Sequence, residues 1–245
     1  MLVEGLVRLI RGEETGLVAG SVDLLVPLLK AYGSDQAFRI CETAIQTYGG
    51  AGYTRDYPAE QYCRDAKIFS IYEGTNHIQA MDLVGRKLGQ AGGANLQAFL
   101  GDVAKFVAQY KDHATLGHDV KALGAAQEAL AGSAMKLLTW FQTGKMDMVP
   151  LFANRFLEMM SEMSVAWLLL ESAVIADSKL TTMSAPSAGG GPATAGNDKA
   201  FYEGKIHSAH FYAHTVLPHV EFLAKQMNDE DRSPLEISDA AFATV

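Results

Sequence analysis

The stretch Gln46–Gln79, QTYGGAGYTRDYPAEQYCRDAKIFSIYEGTNHIQ, decides how this chain is read. Gln46 sits at the end of a helical pattern in which Phe38, Cys41 and Ile45 recur three and four residues apart. The run Gly49-Gly50-Ala51-Gly52 must end that helix, because glycine accepts the left-handed backbone that closes one. The same glycines remove side chains, so another backbone or a phosphate can approach closely. A short helix is expected from Pro58 to about Lys67, and a further one from about Thr75 to Leu88. Arg64-Asp65-Ala66-Lys67 mixes charges within one turn and reads as a solvated or locally ion-paired face that fixes its helix against the next segment. Glu73 follows the apolar run Ile68-Phe69-Ser70-Ile71-Tyr72 and precedes Gly74-Thr75. A carboxylate projected from an apolar wall is desolvated and moves towards the range of a general base, with Gly74 leaving room for substrate. It can equally cap the helix that begins near Thr75. The residues alone leave both readings open.

Outward from this stretch, helical spacing dominates and strand alternation is nearly absent, so the fold class is all-α. Pro27 marks an early turn of the helix that ends at Tyr48. Gly89–Ala94 (GQAGGA) reads as a linker, which divides the chain into a helical bundle domain, 1–88, and an appended helical domain, 95–228. In the second part, helices are expected near Leu96–Tyr110, Val120–Phe141, Val149–Lys179 and Asp198–Met227. The segment 184–197 (SAPSAGGGPATAGN) is expected to be a mobile loop, and the tail 229–245 to fray. The first ten residues carry an amphipathic pattern (Leu2, Val3, Leu6, Val7, Leu9, Ile10) with no cap ahead of it. The bundle domain is therefore expected to be incomplete at its start, and the chain to be the carboxyl-terminal piece of a longer protein.

Of 245 residues, 49% are hydrophobic and 20% charged, enough to bury a sizeable core. The net charge of -8 without a Lys/Arg run excludes nucleic acid as an expected partner. The longest apolar stretch, Val165–Ala176, is broken by Glu171 and reads as too short to span a bilayer. Cys41 and Cys63 cannot form a disulfide framework; with no secretory signal, a cytoplasmic location is expected, with both thiols small and buried. The methionines Met146, Met148, Met159, Met160 and Met163, with Phe152, Phe156 and Trp167, form a core stripe. His207, His210 and His214, with Glu203, share one helix face at metal-compatible spacing; a polar face against a neighbouring helix is the preferred reading, and no metal is expected.

The residues Gln46, Gly49-Gly50, Gly52-Tyr53, Pro58, Glu60, Arg64-Asp65-Ala66-Lys67, Ile71-Tyr72-Glu73-Gly74-Thr75 and Ile78-Gln79 resemble the carboxyl-terminal helical domain of the acyl-CoA dehydrogenases. The match is close over about Leu24–Leu88. Trp167–Lys179 and Phe201–His219 resemble, more loosely, the extra helical region of a long subgroup that includes the methylthiopropanoyl-CoA dehydrogenases. This resemblance implies a flavoenzyme that introduces an α,β double bond into an acyl-CoA. It implies that Glu73 removes the α proton while a hydride passes to N5 of FAD, with the thioester oxygen held by the backbone N–H at Glu73 and a flavin hydroxyl. Gln46, Gly49 and Gly50 would meet the FAD of a neighbouring subunit, Thr75 and His77 the cofactor's pyrophosphate or adenosine part, and Tyr72 and Gly74 the substrate. His77 stands where glutamine or glutamate is more usual. A homodimer and an electron-transfer flavoprotein as acceptor follow from the family, and the isolated chain is expected to be inactive. An acyl-CoA oxidase with the same base, or a non-catalytic helical module, is the competing expectation.

Overall fold

The computed structural model describes residues 19–184 and 195–243. The amphipathic opening at residues 1–10 and most of the segment expected to be a loop lie outside the described residues. Every element among the described residues is helical. The chain runs α1 (Ala19–Tyr48), α2 (Gly50–Tyr53), α3 (Ala59–Ile68) and α4 (Asn76–Asp82). It continues through α5 (Ala94–Tyr110), α6 (Gly117–Thr143), α7 (Met148–Ser184), α8 (Ala195–Thr215), α9 (Pro218–Asp229) and α10 (Ser233–Glu236).

In α1, Leu24, Leu25, Leu28 and Ala31 repeat at helical spacing and are buried, and this face packs on α4 and α7. Pro27 lies inside α1 and not at its first turn. A proline there forfeits one helical hydrogen bond, and Leu25 and Leu28 on either side of it are buried in the core. The expected helix from Thr75 to Leu88 shortens to α4 and passes into one π-helical turn, Leu83–Lys87, in which the Leu88 N–H reaches the Leu83 carbonyl at 3.0 Å. That extra residue per turn directs Lys87, 4% exposed, onto Asp23 of α1. The bond to Lys87 holds the Asp23 carboxyl below its usual range.

Gly89–Ala94 is compact: a single 3-10 turn, Gln90–Gly93, with Ala91 and Gly92 in left-handed conformations. The helices on either side of it share one continuous core, from Leu24 on α1 to Met227 on α9. The centre of that core is α7. Met148, Phe156, Met159, Met160 and Met163 are fully buried there, as the stripe predicts, whereas Met146 is exposed and Trp167 partly so. Helix α7 packs against α1, α4, α6, α8 and α9.

One expectation needs correcting. The stretch Met148–Met183 has a mean hydropathy of 1.4 in its richest window, long and apolar enough to cross a membrane by that measure. Yet 56% of that window is buried by the surrounding helices, as for the central helix of a packed domain.

The single helix expected over Asp198–Met227 is two. Pro218 cannot donate to the preceding turn, so α8 stops at Thr215 and the N–H groups of Val216 and Leu217 both turn to the Tyr212 carbonyl. Leu217, 1% exposed, plugs the bend.

The tail is tied down over its first part. Arg232 pairs with Asp147, and Glu230 accepts from Lys136, Lys145 (2.6 Å) and the Trp140 indole (3.2 Å). These bonds hold Glu230 in a left-handed conformation (φ 49°) and pull its carboxyl down to about 2. A carboxylate whose pKa falls on folding stabilises the fold above its unfolded pKa and ceases to as pH drops through the folded one. At this partly exposed site, solvent screening limits the gain to about 1–2 kcal/mol. Glu230→Gln is therefore expected to destabilise the chain by that amount at pH 7. The gap to the parent chain should close as pH falls from about 4.5 to about 2, read by urea denaturation across that window.

Candidate active site

Three elements meet around Glu73. Helix α3 ends at Ile68, the chain makes a tight turn through Phe69–Thr75, and α4 begins. Inside the turn the Ile71 and Tyr72 N–H groups both return to the Ile68 carbonyl, at 3.0 and 2.9 Å. Glu73 and Gly74 are then both left-handed, with φ of 54° and 83°. For glycine this is free; for glutamate it is a strained conformation that persists only where neighbours impose it.

The neighbours are on α1. Lys30 Nζ donates to the Gly74 carbonyl and, at 3.1 Å, to Asn76 Oδ1. Ser34 Oγ donates to the same Asn76 oxygen at 3.0 Å. The Asn76 amide nitrogen donates to the Ala31 carbonyl at 3.1 Å and to Asp35 Oδ1 at 2.8 Å. Asn76 thus uses both ends of its side chain to lock the Glu73 turn to the middle of α1. The sequence reading passed over Asn76, Lys30 and Ser34. The one available signal was an asparagine directly after a helix cap, and its partners lie more than forty residues away.

Glu73 does not cap α4. Thr75 does so itself, its Oγ1 accepting from the Ile78 N–H at 3.3 Å. Glu73 instead lines an open hollow of about 360 Å³ with Lys30, Gly33, Ser34 and Ala37 of α1 and with Phe69 and Tyr72 of its own turn. The expected apolar wall is present, but it does not desolvate the carboxylate within this chain. Glu73 is exposed, and Phe69, Ile71 and Tyr72 are themselves 50%, 56% and 64% exposed. A one-sided wall leaves the other side to water.

Gln46, Gly49 and Gly50 are not brought to this hollow. They lie at the C-terminal end of α1, all exposed, with Gly49 left-handed (φ 61°) and open space where a Cβ would stand at either glycine. Ser34 marks the hollow, and twelve helical residues separate it from Gln46, about 18 Å along the axis. Of the two remaining candidates, Thr75 and His77 are both exposed, and the His77 ring meets Asn154 of α7 at 3.2 Å.

Of the other candidates, Arg64 is ion-paired with Glu60 of its own helix at 3.0 Å, while Lys67 lies over the Phe38 ring and so ties α3 back to the preceding α1 instead of to the next segment. Cys41 and Cys63 are free and partly exposed instead of buried, because α1 and α3 show that side to solvent. On α8, His210 and His214 face α6 as a polar contact, while His207 is exposed and Glu203 pairs with Lys199 at 3.6 Å.

Comparison with known proteins places the chain in a family. The family described as acyl-CoA dehydrogenase, C-terminal domain, matches residues 7–88, and the family described as acetyl-CoA dehydrogenase C-terminal like matches residues 99–238. The chain is 32% identical, over 96% of its length, to the broad-specificity linear acyl-CoA dehydrogenase FadE5 of Mycobacterium tuberculosis, of which it covers 38%. It is 30% identical, over 80% of its length, to the 3-methylmercaptopropionyl-CoA dehydrogenase of Ruegeria pomeroyi, covering 31% of that protein. The crystal structure of an acyl-CoA dehydrogenase complexed with FAD from Bacillus anthracis superposes on 89% of the chain with a TM-score of 0.59 at 17% identity; 34% of that chain is covered, and the likeness is one of fold. The chain thus spans about a third of the length of the relatives it matches. In sequence, in fold and in the part of its relatives that it covers, the chain belongs to the acyl-CoA dehydrogenase family and corresponds to its C-terminal helical region.

Proposed function

We propose that this chain forms the C-terminal part of an FAD-dependent acyl-CoA dehydrogenase, in which Glu73 takes the α proton of an acyl-CoA thioester. The observation that carries the reading is the strained Glu73-Gly74 turn, held by Lys30 and Asn76 at the wall of an open hollow. A base must be held within reach of the proton it removes, and backbone strain kept in place by a fixed network is a mark of such positioning. The residues present fit a flavin that is shared. Gln46, Gly49 and Gly50 offer an exposed, side-chain-poor surface about 18 Å from the hollow, too far for one end of one cofactor to meet both, which suits contact with two subunits. Bound FAD would supply the hydride acceptor. Tyr72 and Gly74 flank the position of the reacting carbon, and Phe69 and Tyr72 exclude water from it once their open side is covered.

That covering is the second requirement. Ile40, Tyr48, Tyr53, Tyr62, Ile71 and Tyr72 are all more than half exposed on the α1–α4 portion. An apolar surface of this kind is expected to be buried by further protein, here the remaining enzyme and a second copy in a homodimer. The 245-residue chain alone is therefore inactive, and electrons leave the complete enzyme to an electron-transfer flavoprotein. A cytoplasmic location completes the proposal.

The test uses a full-length polypeptide carrying this sequence, mixed anaerobically with saturated acyl-CoA thioesters. Bleaching of the flavin with formation of the 2-enoyl-CoA supports the reading, as does neither event with the 245-residue chain. Absence of bleaching with every thioester removes it. Rapid turnover with oxygen alone identifies an oxidase instead.

A further inference from the structure

The geometry points to a binding site for a divalent transition metal of the zinc class between α6 and α8, formed by His118, Asp119 and His214 and closed by His210. None of these residues belongs to the Glu73 hollow, and the site is independent of the function proposed above. Asp119 lies in the first turn of α6 and is 1% exposed. No lysine or arginine pairs with it among the described residues; its ionic contacts are three imidazoles. Its Oδ1 lies 3.0 Å from His214 Nε2 and 3.6 Å from His118 Nδ1, and its Oδ2 lies against His210 Nδ1. That last contact is short but lacks hydrogen-bond geometry, so Oδ2 is buried with no hydrogen bond, one of two such side-chain atoms among the described residues.

A buried carboxylate with no permanently charged partner is costly, and a cation is the direct remedy. His118 Nδ1, His214 Nε2 and an Asp119 oxygen all fall within 4.8 Å of one another. Zinc bonds of about 2.0–2.1 Å in a tetrahedron place ligand atoms about 3.3 Å apart, and the observed 3.0 and 3.6 Å bracket that edge. Imidazole nitrogen with one carboxylate suits zinc better than calcium or magnesium, which require oxygen shells. The His118 and His214 rings stack in parallel, 5.3 Å between centroids and 4° between planes, and are exposed on their outer side, which gives an ion a way in. His210, one turn before His214 on α8, positions the carboxylate from its far oxygen. The His207-His210-His214 spacing seen in the sequence is therefore used, but with His118 and Asp119 of a distant helix in place of His207 and Glu203. The ion would clip α8 to α6.

Chelator-treated 245-residue chain is titrated with zinc chloride by calorimetry and with cobalt(II) by visible absorption. One equivalent bound, with a cobalt spectrum of tetrahedral intensity, is the expected result. His118→Ala, at a position 82% exposed, and His214→Ala should each weaken binding by about a hundredfold. His219→Ala, in a separate Glu158-Glu162-His219 cluster, should leave it unchanged. No saturable binding, or binding that survives both the His118 and His214 substitutions, overturns the proposal and leaves the histidines as ion-pair partners of Asp119.

Discussion

Glu73→Gln in the complete enzyme is expected to lower kcat by between about 10²- and 10⁴-fold, the range associated with loss of a general base. The amide keeps the size of the carboxylate and its place in the hollow. Because the Lys30 and Asn76 bonds that hold the turn run to the Gly74 carbonyl and the Asn76 side chain, not to the Glu73 carboxylate, the backbone should stay where it is. KM and flavin content should therefore change by no more than a few-fold, and the loss should appear in the anaerobic bleaching rate. A variant that bleaches its flavin at the parent rate would assign the proton transfer to another group. A variant that loses flavin would show Glu73 to be structural.

Phe156→Ala should cost about 3–5 kcal/mol of stability, the usual range for an aromatic ring removed from a closed core. Phe156 is fully buried in the first third of α7, the helix onto which α1, α4, α6, α8 and α9 all pack. A cavity there cannot be filled by movement of one neighbour without disturbing the others. This is a large share of the roughly 5–15 kcal/mol by which a domain is stable. Phe211→Ala, on the exposed side of α8 at 67% exposure, should stay within about 0.5 kcal/mol. Urea denaturation of both variants makes the comparison. Equal losses would mean that the chain's core is not centred on α7.

The two results would probe features of different legibility. The core stripe of α7 is local: Phe152, Phe156, Met159, Met160 and Met163 follow the helical repeat, and a single helix suffices to place them on one face. The same holds for the helix stop at Gly49 and the cap at Thr75, which depend on residues within a turn of themselves. The break at Pro218 is equally local, although the apolar pattern continues across it through Leu217 and Val220, both buried. The hydrophobic repeat outlives the backbone that carries it.

The sequence alone determined the helical class, most helix limits and the family, and it singled out Glu73 as the proposed base, because these are written in spacing, in backbone-permissive residues and in a contiguous motif. Only the tertiary structure decided what surrounds those residues. Asn76 holds the Glu73 turn through Lys30, Ser34 and Asp35, and Asp119 meets His210 and His214 from a helix some ninety residues earlier. It also decided that Glu73 stands open to water in this chain and that the Gln46–Gly50 surface lies at the far end of α1. Burial and pairing belong to surfaces, and a surface is made by helices distant in sequence coming together, which no window along the chain contains.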